Sequence, residues 1–109
     1  MDSTQKYTAE APPLQEVQQT RGPLVLEFGT SWCGHCRAAQ PYINEAFTSG
    51  PDLPHHKIED GKGRPLGRAF RVKQWPTLIF LRDGEEVERL VRPVDSASIT
   101  RAMARIEQN

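Results

Sequence analysis

The sequence predicts an α/β domain, a central mixed β-sheet flanked by helices on both faces. Three observations carry this. Residues 24–60 run from an apolar stretch through a helical one to a second strand candidate, the order of a β-α-β unit. "TLIFLRDGEEVERLV" places two apolar runs around Asp83-Gly84, and an Asp-Gly pair in that setting is a strong hairpin signature. Near the end, Ile99, Ala102, Met103 and Ile106 fall at helical spacing and make one apolar face. A parallel strand pair joined to an antiparallel hairpin gives a mixed sheet. The chain has 109 residues, the size of one domain, and long enough to bury a core without staples.

Residues 1–13 are polar, end in "APP", and are expected to be a flexible N-terminal tail with at most a short strand near Tyr7. A single domain is expected over residues 14–109. "LQEVQQTRG" has Leu14 and Val17 at helical spacing and is stopped by Gly22 and Pro23. "LVLEF" (24–28) has the length and the Val of a buried strand, with one acid inside it. "GTSWCGHC" is a loop feeding a helix from the first cysteine to about Thr48, with Pro41 inside and a kink expected there. "LPHHKIED" (53–60) is the second strand, and a short helix follows around Leu66–Phe70. Pro76 opens the hairpin, and Asp95 or Ser96 caps the last helix.

Fourteen Lys and Arg balance fourteen Asp and Glu, so the formal net charge is zero. That balance announces neither a nucleic-acid nor a membrane partner. The apolar runs fall far short of the roughly 20 residues a membrane span needs. The N-terminal stretch has no apolar signal core, which leads to an expected cytoplasmic location. The polar surface favours a monomer. Lys62, Arg64, Arg68, Arg71 and Lys73 form a basic stretch, either a solvated face or a patch that steers an acidic partner. "GKGRPLGR" lacks the G-x-x-x-x-G-K-[ST] pattern of a phosphate loop.

Both cysteines lie in "SWCGHC" (31–36). A single C-x-x-C in a chain expected to be cytosolic is more often catalytic or metal-binding than stapling. The thiolate is what attacks a disulfide. Cys33 at a helix N-terminus would meet unpaired N–H groups and the positive end of the dipole, which favour an anion. Cys36, three residues on, shares that face of the first turn and can resolve a mixed disulfide made by Cys33. His35, when protonated, adds charge that favours the thiolate and makes the couple more oxidising, and Gly34 completes the tight spacer. A Cys₂His₂ zinc site from Cys33, Cys36, His55 and His56 is a weaker reading, because adjacent residues on a strand face opposite ways. A c-type haem motif would need His where Arg37 stands.

With these motifs in place the chain resembles the thioredoxin family. Glu27 lies six residues before Cys33, where thioredoxins carry a buried Asp. Pro41 matches the proline five residues after the second cysteine, "PTLIFLRDGEEV" resembles the cis-proline strand and its hairpin, and Lys57 falls where the family places a lysine beside the buried acid. "CGHC" is similar to the active site of protein disulfide isomerase domains, thioredoxins proper having Pro in place of His35. The resemblance implies a thioredoxin fold and a thiol–disulfide oxidoreductase acting on protein disulfides, with a reductase or thiol as electron donor. It needs no cofactor beyond the Cys33–Cys36 couple. It further implies a cis Trp75-Pro76 bond, whose Trp75 backbone would pair with substrate, and an apolar platform from Trp32 and Trp75. Glu27, desolvated inside its strand, is expected to have a raised pKa and to move a proton to or from Cys36, with Lys57 beside it.

Three positions depart from the family. Gly29 follows Phe28 where an aromatic residue is usual, Trp75 replaces a smaller Ile, and Arg92-Pro93 occupy a stretch that usually holds Gly. The bulkier, more basic rim puts recognition by an ordinary thioredoxin reductase in question. It also admits a second function, a protein-binding module whose redox chemistry is secondary.

Overall fold

A computed structural model describes residues 6–107. The elements are α1 (Leu14–Gln19), β1 (Pro23–Gly29), α2 (Gly34–Ser49), β2 (His55–Glu59), α3 (Pro65–Ala69), β3 (Thr77–Arg82), β4 (Glu85–Val91) and α4 (Ser96–Glu107). The strands lie in the order β2-β1-β3-β4. β1 is parallel to β2 and antiparallel to β3, and β3 pairs antiparallel with β4. This is the mixed sheet the sequence predicts.

Alternation along the two central strands divides the core. Val25, Leu78 and Phe80 face α2 and α4, where Ile43, Phe47, Ile99 and Met103 pack on them. Leu24, Leu26, Phe28, Ile79 and Leu81 face the other way, onto Val17 of α1 and Leu66 of α3. β1 and β3 are therefore buried on both sides and read as continuous apolar runs. Glu27 is the exception, wholly buried on the α2 side of β1.

The hairpin turn uses two residues, Asp83 (φ 52°) and Gly84 (φ 81°), both left-handed as a type I′ turn requires. Asp83 also binds the start of β1: its Oδ1 accepts from Gly22 N at 2.8 Å. Asp95 caps α4, accepting from Ser98 N at 2.7 Å.

In the N-terminal segment, the short strand expected near Tyr7 takes the form of a single bridge. Residues 1–5 lie outside the described residues. Thr8, however, bridges Ile58 in parallel, its N–H donating to Lys57 O at 3.0 Å and its carbonyl accepting from Glu59 N at 2.8 Å. That bridge beside the outer strand turns the Tyr7 side chain inward.

Candidate active site

Cys33 is the N-cap of α2 in extended conformation (φ −84°, ψ 121°), and the helix proper begins at Gly34. Its Sγ accepts the Cys36 backbone N–H at 3.1 Å, so a sulfur occupies the place a serine or aspartate oxygen takes in an ordinary cap. An anion there meets an amide donor and the positive end of a 16-residue helix. Both cysteines are free thiols. Cys33 keeps 8% of its surface exposed and Cys36 only 1%. Burial, then the neighbouring Cys33 sulfur, push the Cys36 thiol up to about 12.

The rim around the cysteines is exposed. Trp32 is 69% accessible and its ring meets that of Trp75 edge-on, centroids 5.7 Å apart. Trp75 Nε1 donates to Asp60 Oδ2 at 2.9 Å, which fixes the ring. The Trp75-Pro76 peptide is cis. Arg92 takes up a left-handed conformation (φ 50°) that ordinarily favours glycine. It donates Nε to Trp75 O at 2.8 Å and its backbone N–H to Pro76 O at 2.9 Å. One lone pair of the carbonyl expected to meet substrate is therefore already engaged. His35 is exposed on the first turn of α2. A Cβ on Gly34 would meet nothing within 4 Å, so packing does not explain a glycine there.

Behind Cys36 the site is closed and charged. The β1/β2 register sets Glu27 opposite Lys57. Glu27 Oε1 lies 2.9 Å from His55 Nε2, and Oε2 accepts from Gln40 Nε2 at 2.9 Å and from the Tyr7 hydroxyl. Lys57 Nζ stands 3.7 Å from Oε2 and donates to Gln40 Oε1 at 2.7 Å. Burial alone would raise the Glu27 carboxyl, but the hydrogen bond and charge of His55, then Lys57 and Tyr7, outweigh it and hold the group below its usual range. This corrects the direction expected from sequence, where desolvation was weighed without these donors. The zinc reading placed His55 with the cysteines; in the structure His55 engages Glu27 and stacks on Phe47 at 4.0 Å, while its neighbour His56 is exposed. No cluster of three or more metal-ligating side chains occurs among the described residues.

Tyr7 is the residue the sequence reading missed. Its hydroxyl bonds Glu27 and accepts from Gln40 Nε2 at 3.2 Å, its ring lies under Lys57 Nζ at 4.8 Å, and it also reaches the Cys36 sulfur. Gly29 makes this possible: a Cβ there would stand 2.7 Å from Cys36 Sγ and 2.8 Å from Tyr7 Oη. Tyr7, from the N-terminal segment, thus fills the space that a side chain at position 29 would need.

A sulfur-capped helix with a second cysteine one turn on, on this sheet, defines a dithiol–disulfide exchange protein. Residues 5–105 match the Thioredoxin family model. Thioredoxin of Mycobacterium tuberculosis is 30% identical over 86% of this chain and 82% of that one, and an H-type thioredoxin of Fagopyrum esculentum is 30% identical over 71% and 66%. Thioredoxin 2 from Pseudomonas aeruginosa PAO1, solved in its reduced form, superposes with a TM-score of 0.83 at 50% identity, covering 94% of this chain and 95% of that one. The chain belongs to the thioredoxin family and is a thiol–disulfide oxidoreductase. No described helix is long and apolar enough to cross a membrane.

Proposed function

We propose that the protein acts as a monomeric cytoplasmic reductase of protein disulfides, with Cys33 as nucleophile and Cys36 as resolving cysteine. The unequal setting of the two sulfurs carries this reading. Cys33 is the more accessible and sits on the helix N-terminus, whereas Cys36 is enclosed and keeps its proton. Cys33 thiolate attacks a substrate sulfur and expels the first thiolate. Cys36 then attacks Cys33 Sγ, forming the Cys33–Cys36 disulfide and releasing the second substrate thiol. Two electrons pass to the substrate and the couple needs no other cofactor. A reductase or a small thiol restores the dithiol.

Trp32, Trp75 and Pro76 form the surface on which substrate lies, strand against backbone. Gly34 leaves that surface open in front of the cysteines. His35 tunes the couple toward oxidation relative to a proline spacer. Glu27 and Lys57 act from behind as a fixed charge pair on the proton of Cys36. Residues 14–109, with Tyr7 and Thr8 docked on them, make one domain.

Equilibration against a glutathione redox series tests the direction. A potential near roughly −270 mV, the value characteristic of thioredoxins, supports a reductase, and one near roughly −180 mV, the disulfide isomerase level, overturns it in favour of oxidation or isomerisation. Replacing His35 by Pro should make the potential more negative, by up to about 90 mV if the spacer accounts for the whole gap between those classes. A Cys33→Ser, Cys36→Ser double variant that kept full biological activity would favour the binding-module reading instead.

A further inference from the structure

We propose that Tyr7 is a further catalytic residue, whose hydroxyl passes its hydrogen bond from the Glu27 carboxylate to the Cys36 sulfur as that sulfur becomes the attacking thiolate. The inference rests on the assignment of Cys36 as resolving cysteine. Cys36 is enclosed by protein, so its thiolate needs a donor beside it. The Tyr7 hydroxyl is the group in place: it contacts the carboxylate on one side and shares with Cys36 Sγ the space that Gly29 leaves open.

The exchange of partners is close to thermoneutral, so it can run in either direction. Tyr7 gives up one anionic acceptor and gains another, and charge-assisted bonds of this kind are of similar strength. Glu27 retains Gln40, His55 and Lys57 when Tyr7 turns away. Burial, and next the Glu27 charge, hold the phenol far above its ordinary value, so it remains a donor throughout.

The proton has an exit. A cavity of about 320 Å³ opens beside the sulfur, lined by Tyr7, Cys36, Gln40 and Lys57. Thr30 Oγ1 and Asn44 Oδ1 border it, buried without a protein partner, which makes it a polar space suited to water. Cys36–SH releases its proton to water there. The thiolate's electron pair forms the bond to Cys33 Sγ, and the bond from Cys33 to the substrate sulfur breaks with its pair on the leaving thiolate, which takes a proton from water. Protons and electrons balance with no further reagent.

Reduced full-length protein mixed in stopped flow with 5,5′-dithiobis(2-nitrobenzoate) reads the two steps separately. Attack by Cys33 releases one nitrothiobenzoate, and resolution by Cys36 releases the second. Tyr7→Phe keeps the ring over Gly29 and under Lys57 and removes only the hydroxyl. The expected result is an unchanged first phase and a second phase slowed about tenfold, its pH profile displaced toward alkali. Glu27, His55 and Lys57 on the strands, Cys36 and Arg37 on α2 and Lys6 beside Tyr7 face the same region and are common to both proteins, so the displacement isolates the hydroxyl. A second phase at the wild-type rate and pH profile overturns the role of Tyr7 alone. Equal slowing of both phases also overturns it, by showing a general structural defect. Wild-type protein that gave no second release would overturn the resolving role of Cys36 and the proposal with it.

Discussion

The two sides of the Cys33–Cys36 pair are built on opposite principles. In front, the exposed Trp32 ring, the half-buried Trp75 ring beside a cis peptide, and the Arg92 guanidinium face whatever arrives. Behind, Glu27, Lys57, His55, Gln40 and Tyr7 close around one another, with Glu27 and Lys57 almost wholly out of water. Changes in front should alter which disulfides are bound and leave the fold alone. Changes behind should alter stability and the fate of a proton. On the proposed function, recognition belongs to one side of the sulfur pair and proton control to the other.

The largest effect should come from the closed side. Glu27→Gln keeps the shape and removes the charge, leaving Lys57 as a buried ammonium with Gln40 and the Tyr7 ring as its remaining partners. Breaking a buried pair on one side costs about 3–5 kcal/mol, whereas Trp32→Ala in the open rim should cost about 1 kcal/mol or less. Urea unfolding of both variants checks the contrast, and equal losses would break it. Adding Lys57→Met to Glu27→Gln should restore part of the loss, because the uncompensated charge goes with it. The same carboxylate sets an acid limit. Its folded value lies below the ordinary 4.5, so its stabilisation is complete above pH 4.5 and fades as pH falls through the lower folded value. Wild-type stability should drop below about pH 4.5 more steeply than that of Glu27→Gln.

Much of this was legible in the chain because it is local. The apolar runs of β1 and β3, the Asp83-Gly84 turn and the C-x-x-C spacing each declare themselves within a few residues. The closed side was not, because its members come from four separate segments. Tyr7 lies twenty residues from Glu27 in a stretch whose polarity reads as tail. Gly29 was the available signal: where an aromatic residue is missing beside a buried acid, something else must fill the space. His55 left a signal too. It stands two residues before Lys57, and on a strand that places both on one face toward Glu27. Burial alone would raise the Glu27 pKa; donors brought from the other segments, His55 first, reverse it.

Gly29→Ala sharpens the comparison by disturbing the closed side without touching a charge. The added methyl would stand 2.7 Å from Cys36 Sγ and 2.8 Å from Tyr7, closer than such atoms approach, so one must move. Overpacking of this kind costs about 1–3 kcal/mol, less than an unpaired buried charge. Tyr7 arrives on a single bridged segment and is easier to displace than a cysteine on the first turn of α2. The variant should therefore slow the resolving phase as Tyr7→Phe does, with the first phase preserved. Resolution at the wild-type rate would mean that Tyr7 accommodates the methyl in place.

The smallest effect belongs to the open side. A cavity of about 630 Å³ runs from Trp75 past Asp60 to Arg64, Arg68, Arg71 and Lys73. Arg64 is partly engaged by Glu59 at 3.3 Å, while Arg68, Arg71 and Lys73 are exposed to solvent. Exposed charges several residues apart are weak individually and act mainly by raising the encounter rate of an oppositely charged partner. Arg68→Glu combined with Arg71→Glu should raise KM about three- to tenfold for a disulfide peptide flanked by Asp and Glu, and leave kcat unchanged. The difference should shrink between about 0.01 and 0.15 M salt, as the Debye length falls from roughly 30 to 8 Å. Stability should change by less than about 0.5 kcal/mol, since no buried group loses a partner. A fall in kcat would break the division, because it would place these arginines in the chemistry and not in the approach to it. An equal rise in KM for an uncharged peptide would instead make the groove a matter of shape, with Trp75 and not the charges as its reader.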